Sequence, residues 1–556
     1  MRDELSESAI RLAIILACLL LGIGLLGGLI VLGLELKTKF KASRLPQNIR
    51  MKIGFSLLAV GVLCLISVSL WSERAALLKI VALWFLISSI AVLTVRLWRK
   101  HLRTKLIRTV DLTSYTAEII DPDKLVHSTA YIGKSMLNHC GVALDEKERA
   151  MHVLVSGSTG SGKTTALKAL FLDAALKGQP VLIIDPKGNN LTIDEMKSMF
   201  VEAGRNKKDF KVFSIMSPHT SARYNPLSRG TSMQVRDRIM GAMEWSEPFY
   251  KHQASSWLGG MIDILMALNQ PITIRKLRTL LSEVKALEEI EDLIAAHKDK
   301  IKAKELLSRL KATIKGSREN LEGLTSQLRD LDNLDFGNLF DPNGENPEID
   351  FESVVRNKEV AYFQLNTMAY QSAAQVIGRL ILQDLKALAS QIHGGQIKME
   401  GTFFPIFVDE FGSFAFQGFI DFLKMARDVK FANHLFFQSL ADLDAVSPEF
   451  KSQVQQNCLT KLILRTDDPT EVDFWSGVAG TVDTVESSYQ IENVLGFRMK
   501  TGQGNMRYTK QMRVEHDVFK KLSVGQAVLI QKSPAREDLV HLWQPRIRKL
   551  KTSSKA

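Results

Sequence analysis

Met151-His-Val-Leu-Val-Ser156, then Gly157-Ser-Thr-Gly-Ser-Gly162-Lys163-Thr164, then Thr165–Leu176 read as an apolar strand, a glycine-rich loop and a helix in direct succession. The loop fits GxxxxGK[ST], in which glycines let backbone N–H groups close around phosphates and the helix N-terminus adds a favourable dipole. In that pattern the lysine contacts the β- and γ-phosphates and the Ser/Thr hydroxyl a Mg²⁺ ion. Gly157, Ser158, Thr159, Gly160, Ser161, Gly162, Lys163, Thr164 and Thr165 are therefore predicted to cradle ATP, with Thr164 on the metal. A plain glycine-rich turn is the competing reading, and the flanking strand and helix count against it.

Such a site needs an acid at a nearby strand end to hold the metal. Two stretches end that way: Val181-Leu-Ile-Ile-Asp185 and Phe403-Phe-Pro-Ile-Phe-Val-Asp409-Glu410. The second offers adjacent acids, Asp409 to orient Mg²⁺ and Glu410 to activate the attacking water. A loop cap is the alternative for either. Asp185, followed by Pro186, is assigned to supporting the loop or the nucleotide pocket. Gln438 ends another apolar strand, Leu435-Phe-Phe-Gln438, where an amide can sense the γ-phosphate or position water; a satisfied core glutamine is the bland reading. Arg427, on the helix after the paired acids, carries the planar, permanently charged fork that suits transition-state phosphate, with a surface salt bridge equally open.

Outward from the loop, Met151–Ser156, Val181–Ile184, Lys211–Ile215, Val360–Leu365, Phe403–Val408, His434–Phe437 and Lys461–Leu464 read as strands, several of them near-continuous apolar runs. Strands of that kind are covered on both faces, and their alternation with helices predicts a parallel α/β sheet. Residues 230–335 break the alternation: rich in Leu, Ala, Lys and Glu, they are predicted to be an all-α insertion domain. Lys300, Lys304, Lys311, Lys315 and Arg318 share roughly one helical face there, a nucleic-acid contact or an ordinary solvated surface.

The formal net charge of +12 invites a nucleic-acid partner, but its location removes the inference. Residues 35–108 carry fourteen Lys or Arg against Glu35 and Glu73, and residues 109–556 are nearly balanced at +1. Four cysteines, Cys18, Cys64, Cys140 and Cys458, lie far apart and suggest neither a disulfide framework nor a zinc site. Three apolar runs, about 10–34, 53–70 and 75–95, are long enough or nearly so to be membrane spans. Basic residues cluster between the first two and after the third, which predicts the N-terminus outside and residues 99–556 in the cytoplasm. The expected localisation is the bacterial inner membrane, multi-pass, with the nucleotide-binding part cytoplasmic.

Asp185-Pro-Lys-Gly188, Tyr224-Asn-Pro-Leu227, Val408-Asp-Glu-Phe-Gly412, Arg427 and Phe437-Gln-Ser-Leu440 with Leu443, in that order behind the loop, resemble the type IV secretion coupling proteins. These include conjugative factors of the TraD and TraG kind, related to the FtsK and HerA pumps. The resemblance implies an α/β, RecA-like P-loop ATPase domain (residues 151–229 and 336–545) with the all-α insertion at 230–335. Before it come a transmembrane anchor at 1–98 and a connector at 99–150, and after it a basic tail at 546–556. It further implies a homo-hexamer beside the type IV secretion channel, ATP and Mg²⁺ as cofactors, and DNA with its relaxase, protein effectors, or both as cargo. Arg427 would be an arginine finger reaching a neighbour's nucleotide, and Gln438 a sensor. Family members usually have two spans, whereas three are read here. No long acidic C-terminal extension is present, so recruitment is expected through the insertion, the tail or a cargo adaptor. The alternatives are a receptor for protein effectors and a DNA pump outside secretion.

Overall fold

A computed structural model describes residues 129–315, 318–341, 348–399, 403–494 and 497–544. Its centre is a mixed sheet of eleven strands in the order β2-β1-β13-β12-β9-β3-β8-β7-β4-β6-β5. The seven stretches expected as strands form its parallel part: β3 (Val153–Ser156), β4 (Val181–Asp185), β5 (Phe210–Ser214), β6 (Val360–Gln364), β7 (Phe404–Val408), β8 (Phe431–Phe437) and β9 (Thr460–Ile463). They are apolar throughout because both faces are covered. Leu154, Leu182, Ile184, Ile406 and Val408 point into one core, and Val153, Val155, Val181, Ile183 and Phe407 into the other. Each fully buried Val, Leu, Ile or Phe side chain contributes about 1.5–3 kcal/mol.

Four antiparallel strands extend the sheet beyond β9: β12 (Gln526–Lys532), β13 (Ala535–Leu542), β1 (Thr129–Ser135) and β2 (Gly141–Asp145). Residues 129–145, expected within a connector, are thus part of the sheet. They are too polar to declare themselves as strands and pair because β13 presents an open edge. A two-stranded ribbon, β10 (Thr481–Val494) with β11 (Phe497–Met512), stands apart from the main sheet.

The first helices are α1 (Glu146–Ala150), α2 (Lys163–Leu176) and α3 (Asn190–Glu202). Within residues 230–335, on the way from β5 to β6, come six more: α4 (Ser232–Ala242), α5 (Pro248–Ala267), α6 (Ile274–Ser282), α7 (Val284–Ala295), α8 (Lys300–Ile314) and α9 (Glu322–Leu331). After them come α10 (Phe351–Asn357), α11 (Gln371–His393) and α12 (Phe419–Ala426). The six-helix stretch is joined to the α/β part through Tyr224-Asn-Pro-Leu227. Tyr224 Oη donates to Asp384 Oδ2 on α11 at 2.8 Å, and Asn225 Nδ2 to the Ile272 carbonyl at 3.0 Å. Arg238 on α4 meets the same Asp384 at 3.1 Å. That motif is therefore a staple between helices.

The multi-pass inner-membrane localisation expected from the sequence is corrected here. Among the described residues no helix is long and apolar enough to cross a membrane. The longest ones show why: α11 carries Gln375, Arg379, Gln383 and Lys386 along one face, and α5 carries His252, Gln253 and Asp263. Each buries only its other face. The runs at 10–34, 53–70 and 75–95, with the rest of residues 1–98 and the tail 546–556, lie outside the described residues.

Candidate nucleotide site

The strand order brings four distant pieces of sequence to one edge. At the C-terminal ends of the neighbours β3, β8, β7 and β4 stand Gly157, Gln438, Asp409 and the strand-end Asp185. This is the edge at which ligands bind in open parallel sheets.

The loop after β3 is braced on both sides. Ser158 N donates to the Arg465 carbonyl at 2.8 Å, and Gly525 N to the Ser161 carbonyl at 3.1 Å. Gly162 turns into α2 at φ 110°, and a Cβ on it would lie 2.8 Å from Gly525 N. A Cβ on Gly157 would lie 2.7 Å from Ser161 Oγ and from Leu464 Cβ. Only glycine fits either position. Lys163, buried, folds back on its own loop, donating to the carbonyls of Gly157 at 2.6 Å and Ser158 at 3.2 Å. Burial pulls its ammonium below the usual lysine range, and the charge of Lys187 adds to that. Thr159, Gly160 and Thr164 are exposed at the mouth, with Thr165 half-buried behind them.

Asp409 is held by its backbone N–H on the Ile184 carbonyl at 3.0 Å. Burial raises its carboxyl pKa against the pull of Lys187. Glu410 takes a left-handed backbone at φ 44°, which costs an ordinary residue about 1–2 kcal/mol. Strain of this kind collects at functional sites. Here it accompanies a chain of contacts across the edge: Thr159 Oγ1 donates to Gln438 Oε1 at 2.9 Å, and Gln438 Nε2 to Glu410 Oε1 at 2.8 Å. Asp185 accepts from Tyr362 Oη at 2.6 Å and from Lys187 N at 2.8 Å. Lys187 Nζ sits 3.0 Å from Glu410 Oε1 and 3.3 Å from Asp409 Oδ2.

Arg427 is not at this edge. It ends α12, which runs back from β7, and lies exposed at the opposite end of the sheet. There His152, just before β3, bonds the Leu423 carbonyl one turn earlier at 2.8 Å. The structure therefore assembles Gly157–Thr165, Asp185, Asp409, Glu410 and Gln438, and leaves Arg427 apart.

Sequence reasoning passed over Lys187, although it lies inside the quoted Asp185-Pro-Lys-Gly188. It also passed over Glu471. That buried side chain accepts from Leu440 N at 2.5 Å and Thr466 Oγ1 at 3.0 Å, fixing the turn after Gln438. No local pattern marks Glu471, because its partner is thirty-one residues away.

The residues fit a phosphate chain and a hard divalent cation. Ser158 Oγ and Ser161 Oγ are buried without a hydrogen-bond partner, Lys163 has only loop carbonyls, and the α2 N-terminus faces the same space. Two adjacent carboxylates supply the oxygen ligands that Mg²⁺ takes.

Two segments of the chain match known families. Residues 127–320 match the FtsK/SpoIIIE family, and residues 404–523 match the TraM recognition site of TraD and TraG. The type 4 coupling protein DotL of Legionella pneumophila subsp. pneumophila (strain Philadelphia 1) is 22% identical over 443 residues. That match covers 69% of this chain and 56% of DotL, so the chain spans little more than half of that relative. Among solved structures, the unbound bacterial conjugative coupling protein TrwBdeltaN70 has a TM-score of 0.52 at 14% identity, over 75% of this chain and 89% of that one. The plasmid coupling protein TrwB with a non-hydrolysable GTP analogue has a TM-score of 0.50 at 15% identity, over 73% and 88%. At such identities these two likenesses speak for the fold.

Proposed function

We propose that this chain, a homologue of the type IV coupling proteins by its matched segments and its relatives, hydrolyses ATP to feed a polymer, DNA in our reading, into a type IV secretion channel. The observation that carries the enzymatic part is the linked set Thr159–Gln438–Glu410, which ties the phosphate loop to the paired acids through hydrogen bonds of 2.9 and 2.8 Å.

In this reading Lys163 leaves its loop carbonyls for the β- and γ-phosphates, and Ser158 and Ser161 gain acceptors for their idle hydroxyls. Thr164 and Asp409 hold Mg²⁺, which when bound neutralises charge on the phosphates. Glu410 accepts the proton of the attacking water. Gln438, bonded to Glu410 and to the loop, registers whether the γ-phosphate is present. Asp185, engaged by Tyr362 Oη and Lys187 N, fixes the neighbouring loop. The active assembly is a hexamer in which Arg427 of one subunit completes the site of the next. The division of the chain into a RecA-like domain and an all-α insertion follows the same reading.

The test is ATP turnover by the full-length chain with single-stranded DNA, duplex DNA or candidate protein effectors added. Stimulation by DNA supports the DNA reading. Stimulation by effector proteins alone replaces it with a protein-cargo receptor, and absence of turnover under all conditions refutes the ATPase assignment.

A further inference from the structure

Lys187 has no part in the proposed hydrolysis, yet it sits on both carboxylates that carry it. Its backbone is anchored by hydrogen bonds, while its side chain is held through the ammonium alone. Lys187 N donates to Asp185 Oδ1 and Thr367 N to the Pro186 carbonyl, each at 2.8 Å. Gly188 then turns at φ 70° against Asn366, whose Cβ would be 3.1 Å from an added Cβ. The ammonium meets Glu410 Oε1 at 3.0 Å and Asp409 Oδ2 at 3.3 Å, with the side chain 44% exposed. Such a lysine can swing without moving the loop.

Asp409 and Glu410 are consecutive acids beside a space shaped for phosphate. With no cation on them they would repel the phosphate chain. A bound Mg²⁺ takes oxygen ligands in a near-octahedral shell, and a second cation on the same oxygens is disfavoured. One ammonium and one metal therefore compete for Asp409, and the water that Glu410 activates competes for the other carboxylate.

We propose that Lys187 is a positioning residue of the nucleotide site, which neutralises Asp409 and Glu410 while no metal is bound and gives up Asp409 to Mg²⁺, and Glu410 to the attacking water, when Mg²⁺ enters with ATP. The inference rests on the ATP reading above. It separates two binding modes: ATP without metal depends on Lys187, whereas ATP with metal does not. A lysine that merely stiffened its loop would serve both modes equally.

The experiment is a titration of the full-length chain with a fluorescent ATP analogue, once in excess Mg²⁺ and once in EDTA. In Lys187→Met the affinity in EDTA should fall about tenfold, the size of a single charge term at a few ångströms in a partly solvated site. The affinity in Mg²⁺ should change less than about threefold. Lys187→Arg should restore most of the EDTA affinity. In an Asp409→Asn, Glu410→Gln background, adding Lys187→Met should leave the EDTA affinity unchanged, because no charge remains to neutralise. Equal losses in both buffers, or an undiminished lysine effect without the acids, overturn the proposal. Wild-type chain that binds no ATP in either buffer overturns the ATP reading, and this inference with it.

Discussion

Arg427→Ala should lower ATP turnover by about a thousandfold or more, the usual worth of an arginine finger, with ATP affinity nearly unchanged. The structure sets this arginine away from its own phosphate edge, so under the proposed function it acts on another subunit. β8 runs seven residues from Phe431, beside the end of α12, to Phe437, just before Gln438. At roughly 3.3 Å per residue that places Arg427 about 20 Å from the phosphate edge of its own sheet. An extended arginine reaches only about 7 Å from its Cα. It is also exposed, as a residue facing a neighbour would be in the isolated chain. The assay is ATPase activity in mixtures of two inactive variants, Arg427→Ala and Lys163→Ala. An Arg427→Ala subunit keeps its phosphate loop and a Lys163→Ala neighbour keeps its arginine. In a random equal mixture about a quarter of interfaces regain both parts if the arginine acts in trans. Partial rescue on mixing is therefore expected. No rescue at any ratio, with mixing of subunits verified by native mass spectrometry, refutes the reasoning.

Lys163→Ala should abolish ATP binding, while Glu410→Gln should bind ATP and fail to turn it over; near-normal turnover in Glu410→Gln would remove that residue from the chemistry. Joint neutralisation of Lys300, Lys304, Lys311 and Lys315, all exposed on or just after α8, should weaken DNA engagement with basal ATPase intact. The binding that is lost should be the salt-sensitive part, as measured by fluorescence anisotropy at several salt concentrations. Stability should also fall in acid through His152, whose pKa burial lowers to about 4 from the ordinary 6.5. The unfolded chain then binds more protons across that window, so the contribution is full above pH 6.5 and lost as pH falls through 4, about 3 kcal/mol in all. His152→Asn tolerates the left-handed backbone at φ 59° and should flatten this part of the pH profile in denaturant unfolding.

The parallel strands were legible because strands covered on both faces must be apolar along their whole length, and Val181–Asp185 or Phe404–Val408 can be read that way without neighbours. The phosphate loop was legible for a similar reason: its chemistry is local, carried by glycines and a lysine within eight consecutive residues. Asp409 and Glu410 stood out because they follow directly on such a strand. Residues 129–145 gave no such sign, since Thr129–Ser135 is a strand only where β13 leaves an open edge for it. Lys187 lay in a quoted motif, but only the packing of β4 beside β7 sets its ammonium on acids more than two hundred residues away. The same order of strands joins Thr159 to Gln438 and carries Arg427 to the far end of the sheet. A sequence determines what each segment prefers to be and which groups it bears; which groups meet depends on strand order and on buried partners such as Glu471 with Leu440, and those are set by packing across the whole chain.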